Sequence, residues 1–307
     1  MQPGEWPELP LDSWKDTYAT LHMWTQIVGK TRLALAPREN HWWNVTQYVT
    51  SRGLTTSPIP TEGRTFTVDF DFVSHTLAVS TSDGRNAALP LTPRTVAEFY
   101  GVYLELLGSL DLDVRIWPVP VEVEGWIPFA EDRVHQSYDA ESAARAFQVL
   151  VHADRVLKRF RARFLGKASP VHFFWGSFDL AATRFSGRRA PVHPGGAPNL
   201  GNWVMQEAYS HECSSAGFWP GGGVIPEPVF YSYAYPEPKG FRDIVLQPEG
   251  TRYSPELGEF VLPYAVIRAS HSPDETLLSF LQTTYAAAAY LGKWDRQALE
   301  RPPDEWP

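Results

Sequence analysis

The stretch from Val171 to Leu180, VHFFWGSFDL, constrains the fold more than any other. It sets a histidine, a tryptophan, three phenylalanines and an aspartate between a long basic helix and a loop rich in glycine and proline. Short, aromatic and bounded by Ser169-Pro170, it reads as a buried strand, because aromatic side chains suit a pleated, packed surface. Alternation puts His172, Phe174, Gly176 and Phe178 on one face and Phe173, Trp175, Ser177 and Asp179 on the other. Gly176 weakens such a strand unless a bulge, a ligand or another backbone lies close. Two readings stay open: a core strand whose histidine is hydrogen-bonded, or the floor of a ligand pocket.

Around this stretch the chain alternates helical and strand patterns. Trp14, Tyr18, Leu21, Thr25 and Val28 repeat at helical spacing, and HWWNVTQYVT from His41 to Thr50 reads as a strand. Thr65 to Val73 alternates Phe66, Val68, Phe70 and Phe72 with polar residues, turns at Ser74-His75 and returns through Leu77 and Val79. Thr92-Pro93 marks a helix start, and VRIWPVPVEV an edge strand or extended linker. Residues 125–138 are irregular. Asp139 opens a helix to about Phe164 whose basic C-terminal half suits the negative end of the helix dipole. Beyond the organising stretch lie a long loop from Pro191 to Asn202, a strand or hairpin from Glu207 to Ser214, a strand FYSYAY and a helix opening at Ser272-Pro273.

HWWNVTQYVTSRGLTTSPIP can be laid without gaps on HFFWGSFDLAATRFSGRRAP. Each segment follows a helix bearing a histidine (His22, His152) and a Gly-Lys pair. The expected fold is therefore α+β, with antiparallel sheets and flanking helices. Two α-β-α units would be related by a pseudo-twofold: residues 1–124, a connection over 125–138, and an enlarged second half over 139–307 that carries the candidate site.

The 307 residues, 43% hydrophobic and 20% charged, match a globule with a sizeable core rather than a disordered chain. A formal charge of −8, with no basic stripe, argues against nucleic acid as a partner. Cys213 is the single cysteine, which forbids an internal disulfide. With no secretory signal pattern and no apolar run long enough to span a membrane, the expectation is a cytoplasmic protein without membrane contact.

The familiar catalytic motifs fail. Gly29-Lys30-Thr31 lacks the upstream glycine of a phosphate loop, His211-Glu212 has no second histidine four positions on, and no G-x-S-x-G elbow occurs. Two constellations survive. His172, Glu207 and His211 supply two imidazoles and a carboxylate, the donor set of a facial triad for iron, manganese or zinc. Alternatively, Trp175, Trp219, Tyr231, Tyr233 and Tyr235 offer stacking surfaces, and Arg184, Arg188 and Arg189 offer forked donors to an anion. His172 or His211 would then act as general base, oriented by Asp179 or Glu212. Cys213 beside His211-Glu212 is a weaker nucleophile candidate. An enzyme acting on a small anionic or aromatic metabolite would bring His172, His211 and an acid into one cavity. A non-catalytic module binding a ligand or partner chain would leave the histidines dispersed. His211→Ala is expected to abolish ligand binding or turnover with little change in melting temperature.

The segments WPELPLDSWKDTYATLHMWTQIVGK, NHWWNV, GLTTSPIP, VRIWP, GKASPVHFFWGSFDLAATRFSGRRAP, YSHECSSAGFWPGGG and FYSYAYPEP, spread over nearly the whole chain, resemble the bacterial proteins grouped as domain of unknown function 5996. The resemblance implies that an aliphatic residue is common at the position of Cys213, which weakens a thiol role. It implies no activity, substrate or cofactor.

Overall fold

The computed structural model describes residues 5–302 and 304. Helix α1 spans Lys15–Leu35, well past Val28, so Gly29-Lys30-Thr31 lies inside a helix. Leu21, Trp24, Ile27 and Val28 form its buried face, and Trp24 stacks on Phe99 with ring centroids 4.5 Å apart. Phe99 belongs to α2, Val96–Ser109. The cap of α2 is Thr95, not Thr92. The Glu98 amide donates to Thr95 Oγ1 at 3.1 Å while the Thr95 amide donates to Glu98 Oε2 at 2.8 Å. Thr92 has no carboxylate three residues on with which to close such a reciprocal box. Helix α3, Ala140–Ala162, starts where expected, with Asp139 accepting from the Ser142 amide.

The first sheet contains β1 Tyr48–Val49, β2 Gly53–Thr55, β3 Ile59–Thr61, β4 Arg64–Asp71, β5 Thr76–Thr81 and β6 Asn86–Pro90. Its order is β1-β2-β4-β5-β6, with β3 also on β4 and every pairing antiparallel. Phe66, Val68, Phe70, Leu77 and Val79 are buried, as the alternation demands. The strand expected from His41 is largely absent. Residues Asn40–Val45 form a 3-10 segment in which His41 and Trp42 are left-handed, with φ of 57° and 62°. Local hydrogen bonds, such as the Glu39 amide to Asn44 Oδ1 at 3.2 Å, give that backbone an alternative to a ladder. The prolines of VRIWPVPVEV leave it unpaired, an extended connection.

The second sheet contains β7 His172–Phe174, β8 Asp179–Arg189, β9 His211–Trp219, β10 Val229–Tyr235, β11 Arg252–Ser254 and β12 Glu259–Pro263, in the antiparallel order β11-β12-β10-β9-β8-β7. The organising stretch is thus a hairpin, not one strand. Trp175 to Phe178 make its turn, because Gly176-Ser177 turn chemistry outweighs the aromatic propensity on either side. Glu207, expected on a strand, ends a short helix, α4, Asn202–Ala208. The aligned segments at His41 and His172 therefore differ in conformation, one 3-10 and one strand.

A short helix, α5, Tyr264–Ala269, follows β12. Helices α3 and α6, Pro273–Leu291, pack on one face of the second sheet. Phe173, Leu180, Ala182, Phe218, Phe230 and Leu262 join the core there. The two sheets meet where Gln47 and Phe173 exchange backbone hydrogen bonds of 3.0 and 2.8 Å. The core continues from Trp6, whose indole donates to Asp274 at 3.1 Å, to Trp294. Among the described residues, no helix is long and apolar enough to cross a membrane.

Candidate functional site

On the other face of the second sheet, strand register places Asp179 and Ala181 of β8, Gly217 and Trp219 of β9, Tyr231 and Tyr233 of β10, and Glu259 and Val261 of β12. Gly217 is what lets the central pair meet. A Cβ there would lie 2.7 Å from Tyr231 Oη and 2.2 Å from the Leu180 carbonyl oxygen. With no side chain in the way, Tyr231 lies across β9 and its hydroxyl donates to Asp179, which also accepts from Ser177 Oγ. Tyr231 and Tyr233 run nearly parallel, with centroids 6.2 Å apart, and Tyr233 shares a 2.7 Å hydroxyl hydrogen bond with Tyr209, just past α4. Trp219 stands beside the Tyr18 hydroxyl of α1.

Two further carboxylates face this cluster. Glu122 lies on the extended connection with a left-handed backbone, φ 59°. Gln26 clamps the preceding residue, accepting from the Val121 amide and donating to its carbonyl, both at 2.9 Å. The Glu122 amide reaches the Pro198 carbonyl at 2.7 Å. Its Oε1 occupies the space a side chain at Gly176 would need, 2.2 Å from an added Cβ. Glu122 is exposed at the surface, and the protein packed around its carboxyl, then the Asp179 charge, push it up to about 7. Glu259 is pushed up to about 8 by the same two causes in the same order. Asp179 is raised by burial, against the pull of Ser177 and Tyr231. No hydrogen bond or ion pair holds the Glu122 or Glu259 carboxylate among the described residues.

The sequence candidates divide sharply. Asp179, Trp219, Tyr231 and Tyr233 come together. Trp175 does not: it is buried against Gly29 and its indole donates to the Val45 carbonyl at 2.7 Å. Arg184 points to the opposite face, buried with its guanidinium carbon 3.5 Å from the Phe160 centroid and 4.2 Å from that of Tyr285. Arg188 is committed to Glu212 at 2.6 Å and to the Gly292 and Lys293 carbonyls beyond α6. Neither arginine is available to an anion beside the tyrosines. Glu207 pairs with Arg38. His172 is fully buried, ringed by Trp43, Tyr48 and Phe174 and pushed down to about 3 by burial. His211 lies against His41, 5.9 Å between centroids. Among the described residues, no three His, Cys, Asp or Glu side chains form a group able to hold a metal ion, so His172, Glu207 and His211 are not gathered into a triad. Cys213 is buried and its thiol is pushed up to about 12.

Glu122, Glu259 and Tyr209 escape sequence reading. Glu122 sits in a proline-rich stretch with no local motif, and Glu259 meets Asp179 only through strand register. A broad surface depression of about 650 Å³ lies elsewhere, around Asp12, Lys15, Glu98 and Asp139. Glu98 and Asp139 are occupied there as helix caps.

Chemically, the cluster offers π faces and three carboxyl groups, with no cation paired to Glu122 or Glu259 among the described residues. A family model described as a family of unknown function (DUF5996) matches residues 6–301, and the chain belongs to that family. No curated protein and no solved structure matches it.

Proposed function

We propose that the protein binds a small organic cation, an amine or quaternary ammonium, at the cluster of Glu122, Asp179, Glu259, Tyr209, Tyr231 and Tyr233. The observation that carries this reading is the pair Glu122 and Glu259, two desolvated carboxylates with no protein partner beside a wall of tyrosines. Carboxylates partly withdrawn from water without a counterion are costly to ionise, and a bound cation supplies the missing charge. Tyrosine faces add cation–π attraction of about 0.5–2 kcal/mol per ring. The dispersal of His172 and His211 favours a binding module over the histidine-based enzyme. Binding is expected to be proton-coupled. It tightens as pH rises through about 7 and 8, because the cation prefers the ionised carboxylates and displaces their protons.

Titration calorimetry with tetramethylammonium and benzylammonium at pH 6 and pH 8.5 tests this. Affinity should be roughly tenfold or more higher at pH 8.5, about 1.4 kcal/mol, and Glu259→Gln should reduce that pH dependence, leaving the part due to Glu122. His211→Ala and Arg184→Met, outside the cluster, should leave affinity unchanged. Absence of binding at millimolar cation, or binding that Glu259→Gln does not weaken, overturns the reading.

A further inference from the structure

A second group of side chains lies where the segment after α3 meets the 3-10 segment Asn40–Val45, away from the carboxylate cluster. Lys167, in the segment after α3, donates from Nζ to His41 Nε2 at 2.8 Å. The other ring nitrogen, His41 Nδ1, donates to the Ala208 carbonyl at 2.9 Å. That second bond fixes the tautomer, because a carbonyl requires an N–H, and so leaves the Nε2 lone pair facing the lysine. The aim is imposed by the backbone. His41 and Trp42 are consecutive left-handed non-glycine residues, a conformation costing on the order of 1–3 kcal/mol each that persists where surrounding structure enforces it. Lys167 Nζ also lies 5.2 Å from the Trp43 centroid and 5.3 Å from that of Phe185, so rings rather than carboxylates surround it. No carboxylate pairs with Lys167 among the described residues. The side chain is exposed, and the His211 ring stands edge-on to His41 at 5.9 Å.

We propose that Lys167 is an amine nucleophile for a small carbonyl compound, with His41 as its proton acceptor. The Lys167 ammonium passes a proton to His41 Nε2, and the freed lone pair attacks the carbonyl carbon. A C–N bond forms, the C=O π bond breaks, and the oxygen takes the proton back from His41. The carbinolamine nitrogen, still carrying an extra proton, gives it to His41, whose imidazolium then protonates the departing hydroxyl; water leaves as the nitrogen lone pair closes the C=N bond of a protonated imine. The balance is one ammonium and one carbonyl giving one protonated imine and one water, with no oxidant or reductant. An exposed lysine flanked by rings, with an imidazole lone pair as acceptor, suits this chemistry, since the neutral amine is the reactive form. Burial does lower the Lys167 ammonium below the usual lysine range and keeps His41 neutral as an acceptor.

The test is competitive labelling of the full chain with glyoxylate and cyanoborohydride, followed by peptide mass mapping. Lys167 should be labelled about tenfold or more faster at pH 7.5 than the exposed Lys15, Lys158, Lys239 and Lys293. Its rate should reach half-maximum well below the ordinary lysine value of about 10.4. His41→Asn should bring Lys167 to the rate of the others. Should that variant unfold, the wild-type pH profile alone decides. Equal rates, or a Lys167 profile indistinguishable from that of Lys15, overturn the proposal. Slowing of all labelling by inorganic phosphate without any excess reactivity at Lys167 would mark an anion clamp instead, and overturns it equally.

Discussion

The two faces of the second sheet handle charge in opposite ways. On the helix-covered face the buried cation Arg184 is sandwiched by Phe160 and Tyr285 and donates to the Phe160 carbonyl. Rings and a backbone oxygen stand in for a counterion, and Phe230, Phe218 and Leu262 close the remaining space. On the other face, Glu122 and Glu259 are desolvated and left without a partner, although arginines are plentiful elsewhere in the chain. Both faces are strongly aromatic, so composition does not separate them. What separates them is whether the charge placed there is covered: rings and a backbone oxygen surround Arg184, while no side chain pairs with the Glu122 or Glu259 carboxylate among the described residues. A finished face reads as core, and an unfinished one reads as a place where something else completes the set.

The largest expected effect comes from breaking the finished face. Phe230→Ala removes a fully buried ring between the sheet and α6 and should destabilise by about 3–5 kcal/mol, measured by urea denaturation. Tyr233→Phe on the other face loses only the shared hydroxyl bond to Tyr209 and should change stability by about 1 kcal/mol or less. If the two substitutions proved equally destabilising, the open face would be core as well.

How much of this was legible in the sequence follows the same divide. The Phe66 to Phe72 alternation, the α3 stripe and FYSYAY announce themselves through periodicity, since burying one face imposes a pattern on neighbouring residues. The antiparallel α+β class follows from them. The left-handed turn at His41 and the four-residue turn at Trp175 to Phe178 break the expected strands, because side-chain hydrogen bonds and glycine overrode aromatic propensity. For the site, Tyr231, Tyr233, Trp219 and Asp179 were found as unusual residues in conspicuous segments. Glu122 and Glu259 were not, because each becomes unusual only when a strand from far along the chain brings Asp179 beside it. Arg184 and Arg188 show the converse: arginines near a candidate site in sequence, turned by strand alternation and by Glu212 to other tasks.

The open face is itself divided, and His172 marks the boundary. Its edge of the face is sealed: the imidazole is fully buried, Nδ1 has no partner, and Nε2 is 3.4 Å from the Tyr48 hydroxyl. The folded-state value, pushed to about 3, lies below the ordinary 6.5, so the folded protein resists protonation that the unfolded chain accepts. That contribution is fully present above pH 6.5 and is lost as pH falls toward 3. His22, pushed to about 4, adds to it in the same direction. His172→Gln should therefore remove roughly 2–4 kcal/mol of the acid-induced loss. The variant would overtake wild type in melting temperature near pH 4 while matching or trailing it at pH 7. Parallel pH profiles for the two proteins would mean that water reaches His172 and that the face is open to its edge.

The smallest effect is the one that sharpens the comparison most. Glu122 and Glu259 have folded values raised above those of the unfolded chain, so the sign is opposite to that of the histidines. Their favourable contribution is complete below about pH 4.5 and is lost as pH rises through about 7 and 8. Glu259→Gln should leave the melting temperature unchanged at pH 5 and raise it by about 1–3 °C at pH 8.5, since both groups retain some contact with water. Glu122→Gln should do the same more weakly, because its side chain is the more exposed of the two. Saturating tetramethylammonium should raise the wild type at pH 8.5 and leave Glu259→Gln where it is. A glutamine that stabilises and a cation that stabilises only the glutamate are two readings of one unpaired charge. If Glu259→Gln instead destabilised at pH 8.5, the carboxylate would already have a partner within the fold, and the contrast between the two faces would disappear.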